Sequence, residues 1–114
     1  MTEHPVVATP LPDGADRAYA KSIALRYLIA STVILGASGL LGMILRDSQA
    51  GAGRVPDAWY YAIMTAHGLG AFVGWGAFAV MGLAWWVLAE AGIPIRRFGK
   101  WMAEATWWLM VGGV

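Results

Sequence analysis

Cysteine is absent from this chain of 114 residues. That absence excludes disulfides, thiolate-held zinc and iron–sulfur clusters, copper–thiolate centres and any cofactor attached through a C-x-x-C-H motif. Charge is also scarce: only 13% of residues are charged, the net charge is +1, and the longest basic run is the pair Arg96-Arg97. Nucleic-acid recognition needs clustered Lys and Arg, so that class of partner is excluded. The first sixteen residues, MTEHPVVATPLPDGAD, hold three prolines and more acid than base. They lack the positive start of a signal peptide and read as part of a cytoplasmic tail over positions 1–20. His4 lies in that tail beside Pro5, without the fixed surroundings a ligand requires, and is given no role.

What remains is apolar. The chain is 59% hydrophobic, with seven tryptophans and fifteen glycines, a balance that belongs to membrane proteins. Nineteen uncharged residues, YLIASTVILGASGLLGMIL, run between Arg26 and Arg46. As a helix they would span roughly 28 Å, the thickness of the hydrocarbon core. A further thirty-two uncharged residues lie between Asp57 and Glu90; a helix of that length must tilt or project beyond the bilayer. Trp59, Tyr60 and Tyr61 mark one interface and Trp85 and Trp86 the other, roughly 39 Å apart at helical rise. The pattern predicts an all-α, polytopic transmembrane helix bundle over 21–114, with helices at about 21–46, 58–90 and 101–114. The third, WMAEATWWLMVGGV, would cover only about 21 Å and is expected to be incomplete, so that the chain is a fragment or is completed by another chain.

Arg17, Lys21 and Arg26 precede the first helix and Arg96, Arg97 and Lys100 follow the second, whereas the loop RDSQAGAGRVPDA between them has only Arg46 and Arg54. This asymmetry predicts a cytoplasmic N-terminus and an external first loop. In the second loop, EAGIPIRRFGK, Gly92 and Pro94 end the helix, and the basic cluster faces the inner membrane surface, where contact with anionic lipid would account for it. Glu90 and Glu104 flank that loop; as helix-end residues they are explained by solvation, with the start of a proton path as the alternative.

His67 is the only ionisable side chain in the second span. It lies eight residues inside Trp59, hence roughly 12 Å below the outer aromatic belt. An imidazole in hydrocarbon needs partners. It can coordinate iron through one nitrogen while the other donates to a carbonyl or carboxylate, or it can simply bond a neighbouring helix; position and residue type leave both open. At 100° per residue Ile63, Gly70, Ala71, Gly74 and Phe78 project within about 60° of it. Gly70 and Gly74 would let a flat macrocycle approach the backbone, although G-x-x-x-G equally describes tight helix packing. Gly36, Gly39 and Gly42 with Ser38 on the first helix read as a packing surface. The tryptophans at 75, 85 and 86 and the methionines at 64, 81 and 110 are assigned no chemistry.

The segment YYAIMTAHGLGAF, Tyr60 to Phe72, resembles the second transmembrane helix of subunit I of the haem-copper oxygen reductases, where a T-x-H-G motif supplies a low-spin haem ligand. Thr65, His67 and Gly68 stand in the matching places, and the resemblance extends roughly from Arg26 to Trp108. It implies the N-terminal part of a twelve-helix catalytic subunit of a terminal respiratory oxidase in a prokaryotic cytoplasmic membrane. The implied centres are a low-spin haem of a or b type at His67, and a high-spin haem and copper held by helices beyond these residues. Implied partners are membrane lipid, the remaining helices and other subunits, and an electron donor: cytochrome c, a small copper protein or quinol. Arg46 matches the place where some members direct an arginine at the haem periphery, with a structural pair to Asp47 as the alternative. EAGIPIRRFGK lacks the asparagine- and proline-rich proton-channel stretch of A-type members, which favours a B-type or more divergent enzyme. VMGLAWWVLAE is similar to helix two of nitric oxide reductases of the same superfamily, which makes nitric oxide reduction the alternative activity; a small haem-binding or structural membrane subunit is a further one.

Overall fold

The computed structural model of the protein describes residues 14–113, and the part of the tail before Gly14, with His4, lies outside them. Helix α1 runs from Gly14 to Gln49. Helices α2, Asp57–Leu69, and α3, Trp75–Glu90, are joined by a π-helical turn, Gly70–Gly74, into one continuous rod. Helix α4 runs from Arg97 to Gly113. Two rods, α1 with 36 residues and α2–α3 with 34, are long and apolar enough to cross a membrane.

Two predicted boundaries move. Helix α1 starts at Gly14, so positions 14–20 are helix rather than tail. Helix α4 starts at Arg97 rather than near Trp101. The two added turns meet: Asp16 on that of α1 bonds Lys100 on that of α4, at 2.7 Å, and its carboxylate also accepts the Ile95 N–H at 3.2 Å. Hydropathy follows only the apolar part of a helix and is blind to polar turns that continue it into water.

The loops turn where their glycines allow. Gly51 and Gly92 have φ of 78° and 66°, a left-handed conformation that costs glycine no steric penalty. After α3, the N–H groups of Gly92 and Ile93 return to the carbonyls of Ala89 and Leu88, closing the helix end.

The rods pack up-down-up. Contacts between α1 and α2–α3 run from Arg17 on Ala89, through Leu28 on Gly82 and Ser31 on Trp75, to Ser38 on His67, so these two are antiparallel. Helix α4 runs parallel to α1, with Tyr19 on Lys100, Arg26 on Glu104 and Tyr27 on Trp107. Where the three meet, Ile23, Tyr27 and Phe78 form the buried core, and the rings of Tyr27, Phe78 and Trp107 lie 5.1–6.1 Å apart in tilted or edge-on contact. Elsewhere the apolar surface faces outward; Phe72 is 86% exposed, tolerable only where the surroundings are lipid or further helices.

The π turn has a packing explanation. Along the rod, contacts with α1 recur at Gly70, Gly74, Phe78 and Gly82. Positions four apart drift by about 40° per step on an α-helix, so a long line of them would wind off the neighbour. One wider turn, in which the Trp75 N–H reaches back to the Gly70 carbonyl, takes up the drift and keeps the line on α1.

Candidate functional site

The imidazole of His67 lies half-buried at the interface of α2 with α1. Two bonds to one residue hold it. His67 Nδ1 lies 2.7 Å from the main-chain carbonyl oxygen of Ser38, and the Ser38 hydroxyl donates to the His67 carbonyl at 2.7 Å. A carbonyl can only accept, so Nδ1 carries a proton, and the tautomer that does so has its lone pair on Nε2. The Ser38 hydroxyl also lies 3.3 Å from Nδ1, a contact secondary to the bond it makes with the carbonyl. Among the described residues Nε2 has no hydrogen-bond partner.

One turn further along α1, Gly42 meets the ring itself. A Cβ built on Gly42 would lie 2.8 Å from Cε1, 3.2 Å from Nδ1 and 3.4 Å from Nε2 of His67. Only glycine at 42 lets the ring lie against the α1 backbone. Ser38 and Gly42, four apart on one face, therefore form the seat of the histidine. The reading of Gly36, Gly39, Gly42 and Ser38 as a uniform packing surface is corrected accordingly. Gly36 and Gly39 face open space, whereas Gly42 and Ser38 build the site. The spacing S-x-x-x-G opposite a lone intramembrane histidine was the available signal, but no rule of sequence pairs it with a residue on another helix.

Gly70 and Gly74 turn out to serve the approach of the helices. A Cβ at 70 would meet Ser38 Cβ and Oγ at 3.3 Å, and one at 74 would meet Ile34 Cγ2 at 2.8 Å. Their Cβ directions thus point at α1, the packing alternative that the G-x-x-x-G pattern offered. On the side toward α4 the same two glycines help line a mostly apolar groove of about 510 Å³, with Ala66, Val73 and Met110 among its walls. Arg46 is exposed, one turn beyond Gly42 and in the last turn of α1. Among the described residues it makes no ion pair, so the structure lacks the expected alternative contact with Asp47.

The other end of the bundle is a collar of charge. Lys21 pairs with Glu90 at 2.8 Å, Arg26 with Glu104 at 3.2 Å and Lys100 with Asp16 at 2.7 Å. Arg17 donates to the Ala89 carbonyl at 3.1 Å, and Tyr19 bonds both the Lys100 carbonyl and Glu104. Glu90, at the end of α3, and Glu104, two turns inside α4 once that helix starts at Arg97, are thus both ion-paired. The Asp16 carboxyl is held below the usual aspartate range, chiefly by hydrogen bonding to the Lys100 ammonium, against the opposing effect of desolvation.

Fold and site together define a polytopic helical membrane chain whose second long rod carries one histidine, bonded at Nδ1 and, among the described residues, without a hydrogen-bond partner at Nε2. The chain belongs to the family of Cytochrome C and Quinol oxidase polypeptide I, whose model matches residues 22–114. It is a subunit I chain of the haem-copper oxidase class, an integral membrane component of an oxidoreductase that works with other oxidase subunits. Comparisons with curated proteins and with solved structures give no match.

Proposed function

We propose that His67 is an axial ligand of the low-spin haem in an oxygen-reducing terminal oxidase. The observation that carries this reading is the state of the ring: Nδ1 is committed to the Ser38 carbonyl, which leaves Nε2 as a metal-binding lone pair. The donor chemistry fits the group, since a neutral imidazole oriented by a carbonyl behind it is the ligand a haem iron requires. Gly42 fits it too, because any side chain there would push the ring off its seat. Gly70 and Gly74 would contribute by keeping α2 close enough to α1 for Ser38 and Gly42 to reach the ring. Arg46, exposed one turn beyond Gly42, would serve a carboxylate edge of the haem.

When bound, the haem carries single electrons between the external donor and the oxygen-reducing centre. These residues would hold its iron through the His67 imidazole and keep it in low dielectric. The Ser38 carbonyl makes the imidazole a stronger electron donor and fixes its plane, and the apolar walls exclude water; both bear on redox potential. The second axial ligand, the high-spin haem and the copper would come from other helices. The mismatch of EAGIPIRRFGK with the A-type proton-channel stretch favours a B-type or divergent enzyme. The basic end of the bundle would face the cytoplasm of a prokaryotic cell, and cytochrome c, a small copper protein or quinol would supply electrons from the opposite side.

The test is His67→Ala in the intact oxidase, read by reduced-minus-oxidised spectra. The low-spin haem band should disappear while the assembly persists; a band at wild-type amplitude would overturn the assignment. Metal analysis of the same preparation separates the alternatives within the superfamily, since copper marks an oxygen reductase and non-haem iron in its place marks a nitric oxide reductase.

A further inference from the structure

Among the described residues the charged groups at the collar end do not balance. Three carboxylates there, Asp16, Glu90 and Glu104, are taken by Lys100, Lys21 and Arg26, and Arg17 is engaged with the Ala89 carbonyl. Arg96 and Arg97 are left, both exposed and without an ion pair among the described residues. They sit in the loop and first turn leading into α4. Immediately along α4 stand Phe98 and Trp101, 70% and 64% exposed, with ring centroids 6.0 Å apart. Arg97 and Trp101 are four apart, so the guanidinium and the indole share one helix face with the charge at the end nearer water.

We propose that Arg96 and Arg97, with Phe98 and Trp101, hold an anionic phospholipid of the adjoining leaflet, the guanidiniums on its phosphate and the two rings along the start of its acyl chains. Arginine forks onto phosphate oxygens in a way lysine cannot, and both unpaired cations here are arginines, while two of the three ion-paired cations are lysines. Aromatic rings at the level of the headgroups match an amphipathic ligand that is charged at one end and apolar at the other. An acidic protein segment would answer the charge but leave two large exposed rings unaddressed. The proposal rests on the membrane placement of this end and is independent of the role given to His67.

The test uses the intact oxidase in nanodiscs of phosphatidylcholine containing a minor share of phosphatidylglycerol, with retained lipid measured by native mass spectrometry after mild delipidation. Wild type should retain phosphatidylglycerol preferentially. Arg96→Gln/Arg97→Gln should lower that preference about tenfold or more, since each basic residue near an anionic surface contributes substantially to retention. The low-spin haem band should be unchanged. Phe98→Ala/Trp101→Ala should shorten retention of both lipids. Equal preference in wild type and the arginine double variant overturns the proposal, as does loss of a protein subunit from that variant with lipid retention unchanged. Should the variant fail to assemble, raising salt on wild type decides: the preference must fall, and a preference indifferent to salt overturns the proposal equally.

Discussion

The two ends of the helix bundle are held in different ways. At the collar, long side chains meet across gaps between helices, at the level where the chain leaves the membrane, and each ion pair is partly solvated. At the histidine seat, backbone meets ring directly, through one serine and one glycine. Exposed pairs each contribute little and can substitute for one another. A seat made by the absence of a side chain has no such tolerance. The end that carries the candidate chemistry should therefore be the fragile one, and the basic end the forgiving one.

Gly42→Val tests this contrast where the expected effect is largest. The new Cβ lies where His67 Cε1 stands 2.8 Å away, and the ring cannot retreat while Nδ1 keeps the Ser38 carbonyl. The low-spin haem signal of the intact oxidase should fall to background, as in His67→Ala; a full-amplitude band would remove Gly42 from the site. Next comes Gly82→Leu, at mid-seam. Its Cβ would meet Leu28 Cγ at 2.8 Å and the Ala24 carbonyl oxygen at 3.2 Å, and backbone cannot yield as a side chain can. Overpacking here should cost about 1–3 kcal/mol in thermal stability of the assembly while the haem spectrum stays normal.

Ser38→Ala should do less. It removes the hydroxyl bond to the His67 carbonyl, worth about 1 kcal/mol, but retains the main-chain carbonyl that holds Nδ1. Haem ligation should persist at wild-type amplitude with a small shift in midpoint potential, and loss of the band would show that the hydroxyl holds the ring. The smallest effect is expected at the collar. The Asp16 carboxyl titrates below its ordinary range, so its contribution is fully present above the unfolded value and is lost as pH falls through the depressed one, under about pH 4. Lys100→Met should flatten that part of an acid stability profile and lower stability near neutrality by the same small amount. A large loss at neutral pH would break the contrast between the two ends.

Much of the molecule was legible in the sequence because the relevant signals are local. Uncharged runs gave the two long spans, and Gly92 marked the end of α3. The π turn was not legible, since it answers to a row of contacts with α1 rather than to any preference of GAFVG. Nor were the polar first turns of α1 and α4, which carry little hydropathy signal and meet only in the fold, through Asp16 and Lys100. The glycines show the same limit: the pattern at position 70 fitted both room for a macrocycle and helix packing, and only the contact of its Cβ direction with Ser38 shows that it packs on α1.

By itself, then, the sequence determined that this is a helical membrane chain with a single ionisable group deep in its second span, and the T-x-H-G motif around His67 pointed to the family. Hydropathy and motif add up along the chain and need no knowledge of what lies opposite. Only the tertiary structure decided which nitrogen of that histidine is engaged and which glycine makes room for the ring. Ser38 and Gly42 stand on a different helix, 29 and 25 residues from His67, and a hydrogen bond or a steric gap across that distance exists only once the two helices have packed.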